Sequence, residues 1–194
     1  MGRRIFHRRL HVGLVVVALM AACIHPHPQP LAGTILSLAL VCAGLAGRAW
    51  AAGCAGRHTR RATIEAPRLV TGGPYAWVRN PIYFASLFLG LGMVGLLGDP
   101  WMLVPCAAVF AFLYGSIVPA EEEFLQAQFG ARYARYRAAV PRFRPRLRPW
   151  PEAERVTFDA GAIRQEARLG LVLLGIYGVL RGAAWLRGVG PGFW

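Results

Sequence analysis

Two short segments of this sequence carry the residue types that can do chemistry. The first runs Leu69-Val70-Thr71-Gly72-Gly73-Pro74-Tyr75-Ala76-Trp77-Val78-Arg79-Asn80-Pro81-Ile82-Tyr83. Gly72-Gly73-Pro74 is a turn signal. Pro81 suits the first turn of a helix, where its missing N–H costs nothing. Asn80 then stands where a side chain can cap that helix. A helix N-terminus with free N–H groups, and Arg79 beside it, can hold a carboxylate or another anion. Tyr75, Trp77 and Tyr83 can stack on a flat ring, although the plainer reading is an aromatic belt at a membrane interface.

The second segment is Pro119-Ala120-Glu121-Glu122-Glu123-Phe124-Leu125, continuing through Phe129-Gly130, Tyr133 and Tyr136 to Val140-Pro141-Arg142. Carboxylates are costly at a membrane boundary unless paired. On a helix the three fan around the axis, so one can face inward while the others meet water. Glu121 or Glu122 can then grip a cationic or hydroxyl-bearing ligand; the plainer alternative is a solvated acidic helix end paired with nearby arginines. Leu125, Phe129, Tyr133, Tyr136 and Val140 recur as one stripe of an amphipathic helix. Arg132, Arg135 and Arg137 fall off that stripe, which suits a helix lying on anionic headgroups.

The elements that must position these segments follow from composition. The chain has 194 residues, 56% hydrophobic and only 16% charged, yet its net charge is +13. All 22 basic residues are Arg. Hydrophobicity this high excludes disorder, and low charge with long apolar runs excludes an ordinary soluble globule. Apolar stretches at Val12–Ile24, Leu31–Cys54, Ile82–Gly98, Trp101–Val118 and Leu169–Leu186 approach bilayer-spanning length. Helices satisfy their own backbone in lipid, so an all-α membrane bundle of about five transmembrane helices is expected, as a single domain over 1–194. Arg3, Arg4, Arg8 and Arg9 before the first stretch resemble a signal peptide, and an uncleaved first helix is preferred. Gly98-Asp99-Pro100 is short enough to force a tight turn, making the two uncharged helices a central hairpin.

Twenty of the 22 arginines fall in three segments: 3–9, 48–79 and 132–168. The positive-inside rule places these in the cytoplasm, for a bacterium on the inner face of the inner membrane. The last stretch, with Arg181 and Arg187, is either a span or interfacial. Basic segments interleaved with aromatics also suit RNA, but in a membrane protein lipid headgroups are the simpler partner, and no nucleic acid is expected. Cys23, Cys42, Cys54 and Cys106 form no CxxC pair and read as apolar packing residues. His25 and His27 alternate with prolines that keep the stretch extended, and no metal site is expected there.

Taken in order, Gly73-Pro74-Tyr75, Arg79-Asn80-Pro81-Ile82-Tyr83, a hairpin, Glu121-Glu122-Glu123-Phe124-Leu125, Phe129-Gly130-Ala131-Arg132-Tyr133-Ala134-Arg135-Tyr136 and Val140-Pro141-Arg142 resemble a known pattern. It is that of the integral-membrane methyltransferases related to isoprenylcysteine carboxyl methyltransferase and phospholipid N-methyltransferase. The resemblance covers about residues 67–145, which it marks as the catalytic core. It implies methyl transfer from S-adenosylmethionine to a lipophilic or small acceptor, most like an isoprenylcysteine carboxylate, otherwise a phospholipid amine or a thiol. Leu69, Val70, Tyr75, Asn80, Pro81, Ile82, Tyr83 and Glu121 would line the cofactor, and Glu121, Glu122 and Arg79 would serve catalysis. Many relatives have His at the position of Asn80, and the prenylcysteine enzymes place Arg at the position of Ile117. Two other readings stand beside this one: a nicotinamide-dependent membrane reductase sharing an Arg-His-Pro-x-Tyr-like element, and a non-catalytic scaffold on lipid.

Overall fold

The computed structural model describes residues 22–25, 27, 29–56 and 68–188. Within them lie four helices: α1 (Leu31–Ala55), α2 (Pro81–Leu97), α3 (Leu103–Ala139) and α4 (Gly161–Leu186). No strand occurs among the described residues. α1, α4 and the stretch Pro100–Ala139 are long and apolar enough to cross a bilayer, and α2 is a shorter apolar helix. The all-α membrane bundle is as expected, but the count of five is not reached here. The expected first helix falls, except for its last residues, outside the described part, as do Arg3, Arg4, Arg8, Arg9, Arg57, Arg60 and Arg61.

The sequence stops its helices where chain chemistry demands. Pro81 opens α2, and Gly98, left-handed at φ 75°, closes it. Asp99 then accepts from the backbone N–H of Trp101 at 3.0 Å and of His25 at 2.7 Å. This buried carboxylate fixes the tight turn of the hairpin and ties His25 to it.

The hairpin connection is real, yet the closest partner of α2 is α1 rather than α3. Small residues bring α1 and α2 nearly backbone to backbone. A Cβ built on Gly92 meets the Ser37 carbonyl and the Val41 amide, each at 2.7 Å, and one on Gly44 meets the Leu89 amide at 2.7 Å. In lipid, where burial adds little drive between helices, such close van der Waals contact supplies the association.

α4 is a helix packed against α1, of a length and apolarity that suit a span. Arg48 of α1 donates through Nε to Glu166 of α4 at 2.9 Å and through Nη1 to Ser86 Oγ of α2. The carboxylate is buried, and one ionic cluster thereby joins three helices. At the opposite end, Arg187 donates to the carbonyls of Ala22 and Ile24, and Arg181 to that of Leu97 at 3.5 Å. These arginines cap helix-end carbonyls and do not lie free in the apolar layer.

Up to a kink at Gly130, α3 is about 42 Å of helix against a hydrocarbon core of about 30 Å. Its uncharged part ends at Ala120, just before Glu121-Glu122-Glu123. The expected amphipathic helix follows directly on α3's apolar part, and the chain bends within it at Gly130, whose φ of 52° and ψ of −125° are not helical. Beyond that kink, 131–139 turns back toward the start of α2. Residues 141–159 then cross over 69–80, and Phe158 lies on Gly53 at the end of α1.

Candidate active site

Residues 76–80 and 140–150 run alongside each other and set the frame. The Arg79 amide donates to the Pro141 carbonyl at 2.9 Å and the Asn80 amide to that of Arg142 at 3.3 Å. The Arg146 amide reaches Trp77 and the Trp150 amide reaches Ala76, each at 2.9 Å. Gly73, at φ 60°, opens a 3-10 turn over Gly73–Ala76 and passes Cys54 so closely that a Cβ would meet Sγ at 2.6 Å. A residue with a side chain is thus excluded twice, by conformation and by space.

Two groups of side chains meet on this frame. In the first, Leu69 packs with Tyr133, Tyr136 and Val140, with Leu125, Phe129 and Trp150 against them. Tyr136 Oη donates to the Tyr75 carbonyl at 2.8 Å, and its ring lies 5.4 Å from that of Trp150. The apolar stripe of the helix is therefore covered by protein. Periodicity shows that a face is apolar, but the chain that covers it comes from elsewhere in the sequence. Tyr133 Oη is buried with no hydrogen-bond partner.

The second group is ionic and centres on Glu122, whose side chain is 5% exposed. Its Oε1 accepts from Arg79 Nε at 3.1 Å, from Arg142 Nε at 3.1 Å and from Asn80 Nδ2 at 3.4 Å. Its Oε2 accepts from Arg142 Nη2 at 2.6 Å. Arg79 also donates through Nη1 to the Arg137 carbonyl at 2.7 Å. Asn80 stands at the N-cap position of α2, but its side chain makes no cap bond there. It turns to Glu122 instead. An anion does sit near the start of α2, and it is the chain's own carboxylate.

Glu121 faces a different partner. Its Oε1 accepts from Tyr83 Oη at 2.7 Å. The Tyr83 ring lies 4.6 Å from that of Tyr114, which lies 4.4 Å from Phe110, an aromatic ladder descending into the apolar part of α3. Glu123 is exposed. The acidic triplet fans as its helical spacing dictates. Burial, opposed by the Tyr83 hydrogen bond but reinforced by the Glu122 charge, pushes Glu121 above the usual carboxylate range. Burial also acts upward on Glu122, but the hydrogen bond from Arg142 and the charges of Arg79 and Arg142 outweigh it and hold Glu122 below that range. Two adjacent carboxyls are thereby given opposite proton affinities.

Of the residues singled out from sequence, Arg79, Asn80 and Glu122 form one cluster and Tyr83 and Glu121 another. Pro81 is buried at the start of α2 and Ile82 half-buried beside it. Leu69 and Tyr75 lie with the tyrosine group, and Val70 is half-buried in the same segment. Two residues were missed as site residues. Arg142 stood in the Val-Pro-Arg ending, but nothing local shows that it reaches back to Glu122. Tyr114 stood inside an uncharged stretch, where an aromatic reads as lipid-facing. Beside them, a mainly apolar cavity of about 220 Å³ is lined by Phe110, Tyr114, Val118, Phe143 and Arg142. Among the described residues no group of three or more His, Cys, Asp or Glu is placed to hold a metal.

A family model described as phospholipid methyltransferase matches residues 32–132, just over half of the chain. The cobalt-zinc-cadmium resistance protein CzcN of Cupriavidus metallidurans is 34% identical over 79 residues, 41% of this chain and 36% of the relative. The nickel-cobalt-cadmium resistance protein NccN of Alcaligenes xylosoxydans xylosoxydans is 31% identical over 153 residues, 73% of this chain and 68% of the relative. Protein-S-isoprenylcysteine O-methyltransferase B of Arabidopsis thaliana is 32% identical over 77 residues, 40% of this chain and 39% of the relative. The aligned stretch thus spans about two fifths or less of the first and third of these. No solved structure matches.

Proposed function

The chain belongs to the phospholipid methyltransferase family, and from that membership we propose that it transfers a methyl group from S-adenosylmethionine to a lipophilic acceptor at the membrane boundary. The single observation that carries this reading is the junction at Glu122. Arg79 and Asn80, before the hairpin, and Arg142, after it, all donate to that one carboxylate. The motif segments on both sides of two membrane helices are thereby drawn into one place, which we read as the catalytic core over about 67–145.

The donor set fits S-adenosylmethionine. Glu121 Oε2 makes no hydrogen bond with a described residue, and Tyr133 Oη is a buried hydroxyl without a partner. An open carboxylate oxygen suits a cation or a ribose hydroxyl, and an unused buried hydroxyl suits a polar ligand atom. Leu69, Val70, Tyr75, Asn80, Pro81, Ile82, Tyr83 and Glu121 are the residues we assign to cofactor binding. When bound, the cofactor supplies a methyl on a sulfonium, an already activated leaving group. The chain's own work is then alignment and exclusion of water. Tyr83 orients Glu121, while Glu122 holds Arg79 and Arg142 in place. Segment 141–159 covers 69–80.

For the acceptor we take an isoprenylcysteine-like carboxylate as the leading reading, with a phospholipid amine or a thiol behind it. The Arabidopsis relative carries isoprenylcysteine in its name. The cavity beside Tyr114 and Phe143 is mainly apolar, and Arg142, 41% exposed, is the one cation in its lining. Ile117 leaves the position used by the prenylcysteine enzymes without a cation, so the whole demand for charge falls on Arg142. We place the site on the cytoplasmic face of a bacterial inner membrane, from the distribution of arginines.

Titration calorimetry on detergent-purified protein tests the donor: no binding of S-adenosylmethionine or S-adenosylhomocysteine at millimolar concentration sinks the reading. Incubating lipid extract with methyl-labelled cofactor then tells the acceptors apart by which molecule gains the label. Binding of a reduced nicotinamide without S-adenosylmethionine binding would select the reductase reading instead.

A further inference from the structure

The loop after α3 is a tandem repeat: Pro141-Arg142-Phe143-Arg144, then Pro145-Arg146-Leu147-Arg148, closed by Pro149. A proline every fourth residue keeps the loop out of a helix. The fold uses the two halves of each tetrad in opposite ways. The first arginine turns inward: Arg142 onto Glu122, and Arg146 onto the carbonyls of Ala139 and Arg148. The apolar residue and the second arginine turn outward. Phe143 is 38% exposed and Leu147 is 97% exposed, and Arg144 and Arg148 are exposed beside them.

Two observations say what covers this face. The first is its level. Phe143 lines the same cavity as Phe110, Tyr114 and Val118, which belong to the apolar part of α3. The kink at Gly130 has therefore brought the loop back to the depth at which α3 enters the hydrocarbon. The second is charge. Arg135, Arg137, Arg144 and Arg148 make no salt bridge with a described residue, whereas Arg132 pairs with Glu154 and Arg142 with Glu122. An outward pair of large apolar side chains, interleaved with unpaired guanidiniums at a bilayer boundary, matches the acyl–phosphate transition of an anionic lipid leaflet.

We propose that the Pro141–Pro149 loop is an anionic-lipid docking element, with Phe143 and Leu147 entering the interface and Arg144 and Arg148 binding lipid phosphates. It rests on the loop's geometry alone and stands or falls apart from methyl transfer. Guanidinium forks match phosphate oxygens in pairs, which a point charge would not.

The test uses the full chain in vesicles. Leu147→Cys is introduced with Cys23, Cys42, Cys54 and Cys106 replaced by Ser, and labelled with an environment-sensitive dye. The same label at Val172, on the exposed face of α4, gives the lipid-facing reference. Headgroup-proximal nitroxide lipids should quench the Leu147 label, at least about twofold more in phosphatidylglycerol-containing vesicles than in phosphatidylcholine alone. Arg144→Gln with Arg148→Gln should remove that difference. Should the cysteine-free background fail to fold, the otherwise native chain and its Arg144→Gln/Arg148→Gln variant are compared by mass spectrometry of co-purified lipid. The variant should then retain less phosphatidylglycerol per protein. Quenching indifferent to phosphatidylglycerol, or equal lipid retention by the variant, overturns the proposal. So does binding of a labelled single-stranded RNA that depends on Arg144 and Arg148 while lipid preference is absent, which would make the face a nucleic-acid site.

Discussion

Arg142 grips Glu122 with two donors, Nε at 3.1 Å and Nη2 at 2.6 Å, across 20 residues of the same chain. The pair closes the kinked end of α3 back onto that helix's own exit from the membrane. Arg79 completes it from the far side of the hairpin, so Glu122 has two cationic partners and neither can be removed without consequence for the other.

Replacing Glu122 should therefore be far more damaging than replacing either arginine. Glu122→Ala leaves Arg79, 9% exposed, without its carboxylate, at a cost of about 3–5 kcal/mol. Arg142→Met removes one partner of a carboxylate that keeps Arg79, and because Arg142 is 41% exposed the loss should be about 1 kcal/mol. Thermal unfolding in detergent, followed by tryptophan fluorescence, ranks the two variants. Equal losses would mean that the cluster does not hold the fold.

Acid should weaken the protein through the same carboxyl. Glu122 is held below its ordinary value of 4.5 in the folded chain. A carboxyl with a depressed folded-state pKa adds stability that is complete above its unfolded value and disappears as pH falls through the folded one. Stability should thus fall as pH drops below about 4.5, and Glu122→Gln should flatten that fall. Glu121, raised above 4.5, has the opposite sign. It subtracts stability at neutral pH and gives it back as it protonates, so Glu121→Gln should stabilise slightly at pH 7. Unfolding midpoints measured across pH for the three proteins check both signs.

Cofactor binding should distinguish the members of the acidic triplet. Glu121 meets Tyr83 and has an oxygen to spare, whereas Glu123 faces solvent. Loss of a charge-assisted hydrogen bond is worth about 1.5–3 kcal/mol, or roughly 10- to 100-fold in Kd. Glu121→Gln should weaken S-adenosylhomocysteine binding by that factor and Glu123→Gln by less than about twofold. Calorimetry giving equal effects would reduce the triplet to a solvated helix end.

Helix pairing should fail at one glycine and not at another. A Cβ on Gly92 collides with α1 backbone at 2.7 Å, while one on Gly115 of α3 meets nothing within 4 Å. Gly92→Ala should push α1 and α2 apart and lose about 1–3 kcal/mol. Gly115→Ala should be neutral or gain about 0.5 kcal/mol from helix propensity. Unfolding measurements on the two variants, made in the same detergent, decide it.

Much of the fold was legible in the sequence because it follows from local rules. Apolar length dictates membrane helices, Gly98-Asp99-Pro100 dictates a turn, and adjacent positions on a helix dictate that Glu121, Glu122 and Glu123 diverge. The ordered motifs likewise marked the segments that meet. What a face packs against is another matter, because it depends on loops whose closure no local pattern fixes. The stripe through Tyr133 and Tyr136 read as the apolar face of an amphipathic helix, and only the fold shows Leu69 and Trp150 covering it. Asn80 read as a cap, yet Glu122 competes for its amide with a full negative charge and wins. Arg181 and Arg187 read as charges intruding on the last apolar stretch, and only the fold shows them meeting helix-end carbonyls. The sequence by itself determined which residues are apolar, which are charged and where the helices stop. Tertiary structure alone decided which charge finds which, since an ion pair needs two groups within a few ångströms and the chain reaches that distance only by folding.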